Sequence, residues 1–285
     1  MLSDSQKLKL RSAIKQKDGW WASIFSGPLA NRFLEPICDV AWITPNVITI
    51  SSLVIGVIAA WCFACGDHFH LIIGAVLVQL SFTVDCMDGQ LARYRQQFSK
   101  LGAWLDRISD RVKDFAYFFS LALGFFLNHG EYFYLNLARL SLVIEHFLGA
   151  KAMFKLPVDL QMIFIKSFPV ATWLIWPLAM IAMFSVLLID YYVNQDMKLE
   201  SPMPSLRGEA QPRRGNPFTK ILNFGLSVYR AVPILRFNIG EQALLISIFT
   251  AMNMVFSLLV IFALLGSFYC IYWPVAKYMG FSPEK

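Results

Sequence analysis

The chain is organised around a sequence that reads Asp85-Cys86-Met87-Asp88-Gly89-Gln90-Leu91-Ala92-Arg93 and, after eight intervening residues, Gly102-Ala103-Trp104-Leu105-Asp106-Arg107-Ile108-Ser109-Asp110. Hydrophobic segments flank it on both sides, over residues 71–84 and 115–128. Carboxylates are costly at membrane depth, so four of them in one place indicate a functional site. Their spacing favours a metal-assisted transfer reaction at a membrane surface.

The composition is that of a membrane protein. Of the 285 residues, 57% are hydrophobic and 15% are charged, whereas about 25% of the residues in a soluble domain are charged. Uncharged runs cover residues 47–66, 167–189 and 242–276, and a helix needs about 20 residues to cross a bilayer. Because lipid permits only helices or closed barrels, and barrel alternation is absent, we predict an all-α, polytopic membrane bundle of about six transmembrane helices.

Charge and aromatic residues divide the chain into three parts. Residues 1–17 are polar and rich in lysine, so the positive-inside rule predicts a cytoplasmic N-terminus. Residues 18–43 contain Trp20 and Trp21 and are predicted to form an interfacial amphipathic helix. Residues 44–285 are the predicted membrane-embedded domain, with a polar loop at 194–236. Basic residues around the aspartates, Lys113 among them, predict a site on the cytoplasmic side of the inner membrane.

Two features of the later chain stay open at this stage. Segment 132–152 is hydrophobic but contains Arg139 and Glu145, so it fits either a span facing the bundle or an interfacial segment, and the choice decides the side of the 194–236 loop. The uncharged run 242–276 is too long for one upright helix at about 1.5 Å per residue. A tight hairpin near Met252 and Asn253 is therefore predicted.

Composition also excludes some partners. The net charge of +6 fits contact with anionic headgroups of membrane lipids. No basic face with interleaved aromatic residues is present, so nucleic acid is not an expected partner. The five cysteines are scattered through apolar sequence and are interpreted as small core residues.

The acidic residues fall on helices at spacings that bring them together. Asp85 and Asp88 are three residues apart, and Asp106 and Asp110 are four apart, so each pair shares one helix face. A short connection predicts antiparallel neighbouring helices with the two pairs across one cavity. Four hard oxygen donors suit Mg²⁺ or Mn²⁺. A solvated turn laced with salt bridges is the alternative, but it does not account for the small residues, such as Gly102, between the acids.

The sequence resembles the CDP-alcohol phosphotransferases, also called CDP-alcohol phosphatidyltransferases (class I). The pattern Asp85-x2-Asp88-Gly89-x2-Ala92-Arg93-x8-Gly102-x3-Asp106-x3-Asp110 is similar to the complete family signature. Residues 44–49 also resemble the family's entry to its first span. The resemblance implies a homodimeric membrane enzyme that passes the phosphoryl-alcohol part of a CDP-linked donor to an acceptor hydroxyl and releases CMP.

The resemblance also implies roles for individual residues. Two divalent ions, Mg²⁺ or Mn²⁺, would be held by Asp85, Asp88, Asp106 and Asp110. Asp110 would in addition be the catalytic base that takes the acceptor's hydroxyl proton. The residues expected to bind the donor through its nucleotide or its phosphates are Asn46, Val47, Ile48, Thr49, Gly89, Ala92, Arg93 and Ser99. The donor would be CDP-diacylglycerol or a CDP-linked polyol, and the acceptor a small alcohol or a lipid, in the synthesis of phospholipids or related polar lipids.

Two other functions compete with this one. An intramembrane prenyltransferase also uses aspartates and Mg²⁺, but with two acidic motifs far apart in sequence, whereas here all four acids lie between residues 85 and 110. A cation transporter would place acids near the middle of the bilayer on interrupted spans. The acids here lie at a cytoplasmic helix end among cations, which favours a phosphate-binding pocket.

Overall fold

The computed structural model describes residues 4–14, 19–128, 168–199 and 238–278. All regular structure in these ranges is helical. The helices, in chain order, are α1 (Asp4–Ser12), α2 (Gly27–Leu34), α3 (Pro45–Cys65), α4 (His68–Arg95), α5 (Lys100–Leu127), α6 (Phe168–Leu199), α7 (Ile239–Ala251) and α8 (Val255–Tyr278). A π-helical turn, Ala22–Ser26, leads directly into α2.

Local capping fixes where the three central helices begin. The side chain of Thr44 accepts a hydrogen bond from the Val47 amide, and Pro45 occupies the first turn of α3. Asp67 caps α4 and Ser99 caps α5 in the same way. Such caps satisfy amide groups that have no partner inside the helix. Because α4 ends at Arg95, only residues 96–99 separate it from α5.

Helix α3 packs along both α4 and α5, whereas α4 and α5 make hardly any direct backbone contact with each other. Thr49 lies beside Asp88, and Ala59 and Phe63 lie beside Gly74, so α3 and α4 are antiparallel. Asn46 lies beside Gly102, and Phe63 lies beside Gly124. Residue numbers therefore increase in the same direction along α3 and α5, so these two helices are parallel. The predicted antiparallel relation of α4 and α5 is therefore present, but α3 rather than direct packing holds them.

The later helices complete an apolar core behind the central three. Helix α8 packs against α6, α6 against α5, and α7 against α4. Phe118 of α5 and Phe262 of α8 meet edge to face, with ring centroids 5.3 Å apart. Both rings are buried, which anchors the back of the bundle to the helix that carries Asp106 and Asp110.

Three helical segments are long and apolar enough to cross a membrane, namely α3, α4 and the Val255–Tyr272 part of α8. Shorter apolar segments lie at Trp173–Ile189 in α6 and at Ile239–Ala251. These helices support the prediction of an integral membrane protein built from helices. Three is the number within the described ranges, and the predicted total of six stays a prediction.

The long apolar run, residues 242–276, forms two helices that are separated where the sequence predicted a turn. Helix α7 ends at Ala251, and α8 begins at Val255, with Asn253 in the left-handed conformation at φ 54°. The predicted boundary of the polar loop at residue 194 is wrong, because α6 continues to Leu199 without a proline or glycine to stop it. The rest of that loop, and segment 132–152, lie outside the described residues.

The first forty residues are more structured than the sequence suggested. Helix α2 ends at Leu34 rather than at the predicted residue 43, because Pro36 has no amide hydrogen to donate to the carbonyl of Arg32. Arg95 holds the turns that follow, donating to the carbonyls of Cys38, Val40 and Ile43 at 2.8 Å each.

Helix α1 packs onto α2 and α4 instead of forming a separate polar tail. Leu10 is fully buried, and Asn31 donates a hydrogen bond of 2.8 Å to its carbonyl oxygen. The Leu10 side chain joins a small hydrophobic cluster with Met87 and Leu91 of α4. Cys38 belongs to the same cluster, and burial raises the pKa of its thiol, which agrees with its interpretation as a core residue.

Candidate functional site

Three of the four predicted carboxylates converge at the ends of α4 and α5 that face the short connection between them. Asp85, Asp88 and Asp106 each present an oxygen atom, and these atoms all lie within 4.8 Å of one another. Two acids come from successive turns of α4. The third comes from α5, which is held next to α4 mainly through α3. Hard oxygen ligands at this separation fit a divalent cation such as Mg²⁺ or Mn²⁺.

Hydroxyl groups from α3 hold the two acids of α4. The Thr49 hydroxyl is hydrogen-bonded to a carboxylate oxygen of Asp88. The Ser52 hydroxyl donates to Asp85 Oδ1 at 3.0 Å. Hydrogen bonds of this kind orient carboxylates that ligate metals. Sequence reasoning had assigned Thr49 to the nucleotide and had not assigned Ser52 to the site. Thr49 and Ser52 are three residues apart and so share a face of α3, which was the signal available in the sequence.

The fourth acid, Asp110, lies outside the convergent set and is paired with a lysine. Lys113 Nζ is 3.0 Å from Asp110 Oδ1 and 2.7 Å from Asp85 Oδ1. It also donates to Ser52 Oγ at 3.1 Å. The lysine side chain is 8% exposed, and the two carboxylates are 14% and 15% exposed. A single ammonium group therefore joins the last acid of the pattern to the first.

Lys113 is a second site residue, after Ser52, that sequence reasoning missed. It was counted among the cations that mark the cytoplasmic end of the helices. Its position three residues after Asp110 placed it on the same face of α5. That spacing was the one signal available, but it does not reveal that the ammonium reaches across to Asp85 on another helix.

Two glycines of the pattern have different surroundings. A Cβ atom built on Gly102 would lie 2.9 Å from Asn46 Oδ1 and 2.9 Å from Ser99 Oγ. The start of α5 therefore lies close to the start of α3, and a side chain at position 102 would have to displace the tips of Asn46 and Ser99. The nearest atoms to a Cβ atom on Gly89 would be those of the Arg93 guanidinium, the first at 3.2 Å, so space around Gly89 is less restricted.

The other predicted nucleotide-binding residues are dispersed around this centre. Val47 is 39% exposed, whereas Ile48 is buried in the cluster that contains Met87 and Leu91. Ser99 is exposed and caps α5, accepting a hydrogen bond of 2.8 Å from the Gly102 amide. Ala92 is half-buried on α4.

Arg93 is tied to the N-terminal segment of the chain. Its Nε donates to the Ala13 carbonyl oxygen at 2.6 Å, and its guanidinium lies along α4 beside Gly89. Arg93 thus follows Asp88 by just over one turn of α4, and its guanidinium reaches back to Gly89, next to one of the acids. A planar donor fork at this position can bind phosphate oxygens.

Comparison with protein families matches residues 42–194 to the CDP-alcohol phosphatidyltransferase model. That range is more than half of the chain. It includes α3, α4, α5 and every acid of the site.

Several curated relatives match part of this chain. A bifunctional IPC transferase and DIPP synthase from Aquifex aeolicus is 30% identical over 42% of this chain and 27% of its own length. An archaetidylinositol phosphate synthase from Methanothermobacter thermautotrophicus is 33% identical over 30% of this chain and 43% of its own length. A phosphatidylinositol phosphate synthase from Cutibacterium acnes is 35% identical over 37% of this chain and 47% of its own length. The chain therefore spans less than half the length of each of these relatives.

Proposed function

The chain belongs to the CDP-alcohol phosphatidyltransferase family, and on that premise we propose that it transfers a phosphoryl-alcohol group from a CDP-linked donor to an acceptor hydroxyl and releases CMP. The observation that carries the proposal is the convergence of Asp85, Asp88 and Asp106 within 4.8 Å, with Asp110 one turn further along α5. An acidic centre at a helix end suits the handling of a pyrophosphate through a bound cation. The reaction is of the type catalysed by transferases of substituted phosphate groups.

Asp85, Asp88 and Asp106 would hold a divalent ion, Mg²⁺ or Mn²⁺, whose charge would stabilise the pyrophosphate oxygens and the departing CMP. The resemblance implies a second ion held with Asp110. Thr49 and Ser52 keep the α4 carboxylates in a fixed orientation, because each is hydrogen-bonded to one of them. Such preorganisation lowers the cost of binding the donor in a reactive geometry.

Asp110 is the proposed base that accepts the proton of the attacking hydroxyl. It is half-buried and ion-paired with Lys113, so its carboxylate is held in one orientation beside the three converging acids. A base has to lie within hydrogen-bond reach of the proton that it removes. Asp110 would meet this requirement for an acceptor bound beside the three converging acids, because Lys113 bridges it to Asp85.

The nucleotide part of the donor is proposed to lie between the start of α3 and the start of α5. Asn46 and Ser99 both border the space left by Gly102, and they supply hydrogen-bonding groups there. Arg93 would bind the donor phosphates. Val47, Ile48, Gly89 and Ala92 stay predictions as further donor-binding residues.

Inositol phosphate is the first acceptor to examine. Several relatives are named archaetidylinositol phosphate synthase or phosphatidylinositol phosphate synthase. We propose CDP-diacylglycerol as the donor and retain a CDP-linked polyol as the alternative. A site facing the cytoplasm, in the inner membrane, would have access both to soluble inositol phosphate and to a lipid donor in the bilayer.

The proposal extends to assembly and domain organisation. A homodimer is implied by the family resemblance, and mass measurement of the detergent-solubilised chain by light scattering would test it. Residues 44–285 are proposed as the membrane-embedded catalytic domain, preceded by the interfacial segment 18–43 and the cytoplasmic segment 1–17.

CMP release by the purified full chain tests the proposed function. The protein would be assayed in detergent with Mn²⁺ and with CDP-diacylglycerol, CDP-inositol or CDP-glycerol, each with and without inositol phosphate. We expect one donor to give acceptor-dependent CMP, and Asp110→Asn to remove that activity. Asp67→Asn makes the same chemical change at the opposite end of α4 and is the matched control, with activity expressed per folded molecule.

Other outcomes would identify a competing function. Absence of CMP with every donor, in protein that is folded and metal-loaded, would contradict the proposal. Pyrophosphate release from a prenyl diphosphate would point to a prenyltransferase, and metal uptake by sealed vesicles would point to a transporter.

A further inference from the structure

The ammonium group of Lys113 occupies the space between the first and last acids of the site. It lies 2.7 Å from Asp85 Oδ1, 3.0 Å from Asp110 Oδ1 and 3.1 Å from Ser52 Oγ. An ammonium carries three N–H donors and no acceptor. These three oxygen atoms therefore account for its whole hydrogen-bonding capacity.

The route of the lysine stem shows that this placement is built into the helix packing. A Cβ atom on Gly56 of α3 would lie 2.9 Å from Lys113 Cγ and 3.1 Å from Cδ. It would also lie 2.8 Å from the hydroxyl of Tyr117, one turn further along α5. The stem thus fills a slot between α3 and α5 that the absence of a side chain at Gly56 creates.

A buried ammonium needs compensating charge, and here the compensation comes from acids of the site itself. Lys113 is 8% exposed, and charged groups are buried in proteins only when they are paired. The described residues near it provide Asp85 and Asp110 as its ion-pair partners. An oxygen of each acid is therefore already engaged by a fixed positive charge.

The four acids consequently fit one divalent ion better than two. Asp85, Asp88 and Asp106 present converging oxygens. Asp110 shares its near oxygen with Lys113 and is absent from that convergent set. A second ion between Asp85 and Asp110 would have to take the place of the ammonium or lie beside it, and like charges at such a separation repel each other.

We infer that Lys113 takes the position of a second cation, so that the site binds a single divalent ion on Asp85, Asp88 and Asp106. The inference rests on the proposed function, because it presupposes a metal-dependent site. It revises the expectation of two ions drawn from the family resemblance. Lys113 is a positioning residue in this arrangement: it holds Asp110 beside the centre and neutralises part of the acidic charge.

Metal stoichiometry of the full chain tests the inference without relying on activity. The detergent-purified protein would be stripped with EDTA and titrated with Mn²⁺, with bound ions counted by equilibrium dialysis and the electron paramagnetic resonance spectrum recorded. The wild-type chain is expected to bind one tight Mn²⁺ with the spectrum of an isolated ion. Lys113→Met keeps an unbranched side chain but removes the charge, and it is expected to bind two ions with a spin-coupled spectrum.

Two further variants serve as controls. Lys113→Arg retains a positive charge and is expected to bind one ion. Lys100→Met removes an exposed lysine at the start of the same helix and is also expected to bind one ion.

Each outcome of the titration has a defined meaning. Two tight ions in the wild-type chain would overturn the inference and leave the proposed function standing. One ion in a folded Lys113→Met protein would also overturn it. No bound ion in folded wild-type protein would overturn the proposed function together with the inference. If Lys113→Met does not fold, the wild-type stoichiometry alone decides.

Discussion

Helices α3 and α5 meet through a glycine at each end, and the two contacts differ in what surrounds the glycine. At the site end, a Cβ atom on Gly102 would meet side-chain atoms of Asn46 and Ser99. At the far end, a Cβ atom on Gly124 would collide with the main-chain carbonyl of Phe63 and lie 3.0 Å from Gly66 Cα. Side-chain tips can move and backbone cannot. The far contact therefore sets the packing of the helices, and the near contact shapes the pocket.

The polar groups at the two ends of the α3–α5 contact also differ in what they bind. At the far end, Asn128 donates to the carbonyls of Cys65 and Gly124 at 2.6 and 3.0 Å, which satisfies backbone groups at helix ends. At the site end, the hydroxyls of Thr49 and Ser52 are bonded to acids rather than to free helix ends. One set of hydrogen bonds satisfies helix ends, and the other orients the carboxylates that are proposed to bind metal.

The largest effect is expected for Asp88→Asn at the site end. Loss of one of the charges proposed to bind metal should lower CMP release by about 10²- to 10³-fold, as removal of a preorganised electrostatic contact does in other active sites. Thermal melting in detergent should change little, because the amide can still accept the Thr49 hydrogen bond. If the folded variant turned over at the wild-type rate, Asp88 would not be a functional residue. The contrast between a functional site end and a structural far end would then be contradicted.

At the far end, Gly124→Ala is expected to affect folding instead. Overpacking costs about 1–3 kcal/mol in typical cores, and here the obstacle is the Phe63 carbonyl on a neighbouring helix. The melting temperature should fall, while CMP release per folded molecule should stay at the wild-type level. Gly89→Ala, where the nearest atoms belong to the Arg93 side chain and lie 3.2 Å away or more, is the stability control. An unchanged melting temperature for Gly124→Ala would show that this contact is not a constraint on packing.

Gly102→Ala should lower activity rather than stability, and by less than Asp88→Asn does. The added methyl group displaces Asn46, so we expect about a 10-fold loss of catalytic efficiency from misplacement of the donor, seen mainly as a higher KM for the CDP-linked substrate. Stability should be close to that of the wild-type chain. Ala103→Ser, on the exposed neighbouring position, is the control. A fall in melting temperature without a change in KM would assign Gly102 to packing.

The smallest effect is expected for Asn128→Ala. Removing its two hydrogen bonds to carbonyl groups should cost about 1–2 kcal/mol of stability, with CMP release unchanged. Chemical or thermal denaturation followed by tryptophan fluorescence would measure the loss. A decrease in turnover per folded molecule would mean that the far end communicates with the site, contrary to the separation described above.

The sequence predicted the elements whose cause is local. Thr44 and Pro45 marked the start of α3, and the length of the apolar run predicted the break at residues 252–254. The spacing of the acids predicted which residues share a helix face, and three of the four acids converge. The helix start, the break and the shared helix face depend on neighbours a few residues away, whereas the convergence of acids from α4 and α5 also depends on how the helices pack.

Features that depend on two helices at once could not be predicted in this way. The pairing of Lys113 with Asp85 requires the slot at Gly56 on α3, which no pattern within α5 reveals. The placement of α3 between α4 and α5 likewise follows from packing, because a short connection alone predicted direct contact. The extension of α6 to Leu199 was missed because polar residues after the apolar core were interpreted as a loop.

The hydrogen bond from Arg93 to the Ala13 carbonyl has a practical consequence for protein engineering. Residues 4–14 would ordinarily be trimmed to improve yield, since they precede every transmembrane segment. A shortened chain starting after Ile14 would lose an anchor of the arginine proposed to bind phosphate and would uncover the apolar surface beneath Leu10. Kinetic constants measured on such a trimmed enzyme would therefore describe a different donor pocket, and affinity tags are better attached with the first helix left intact.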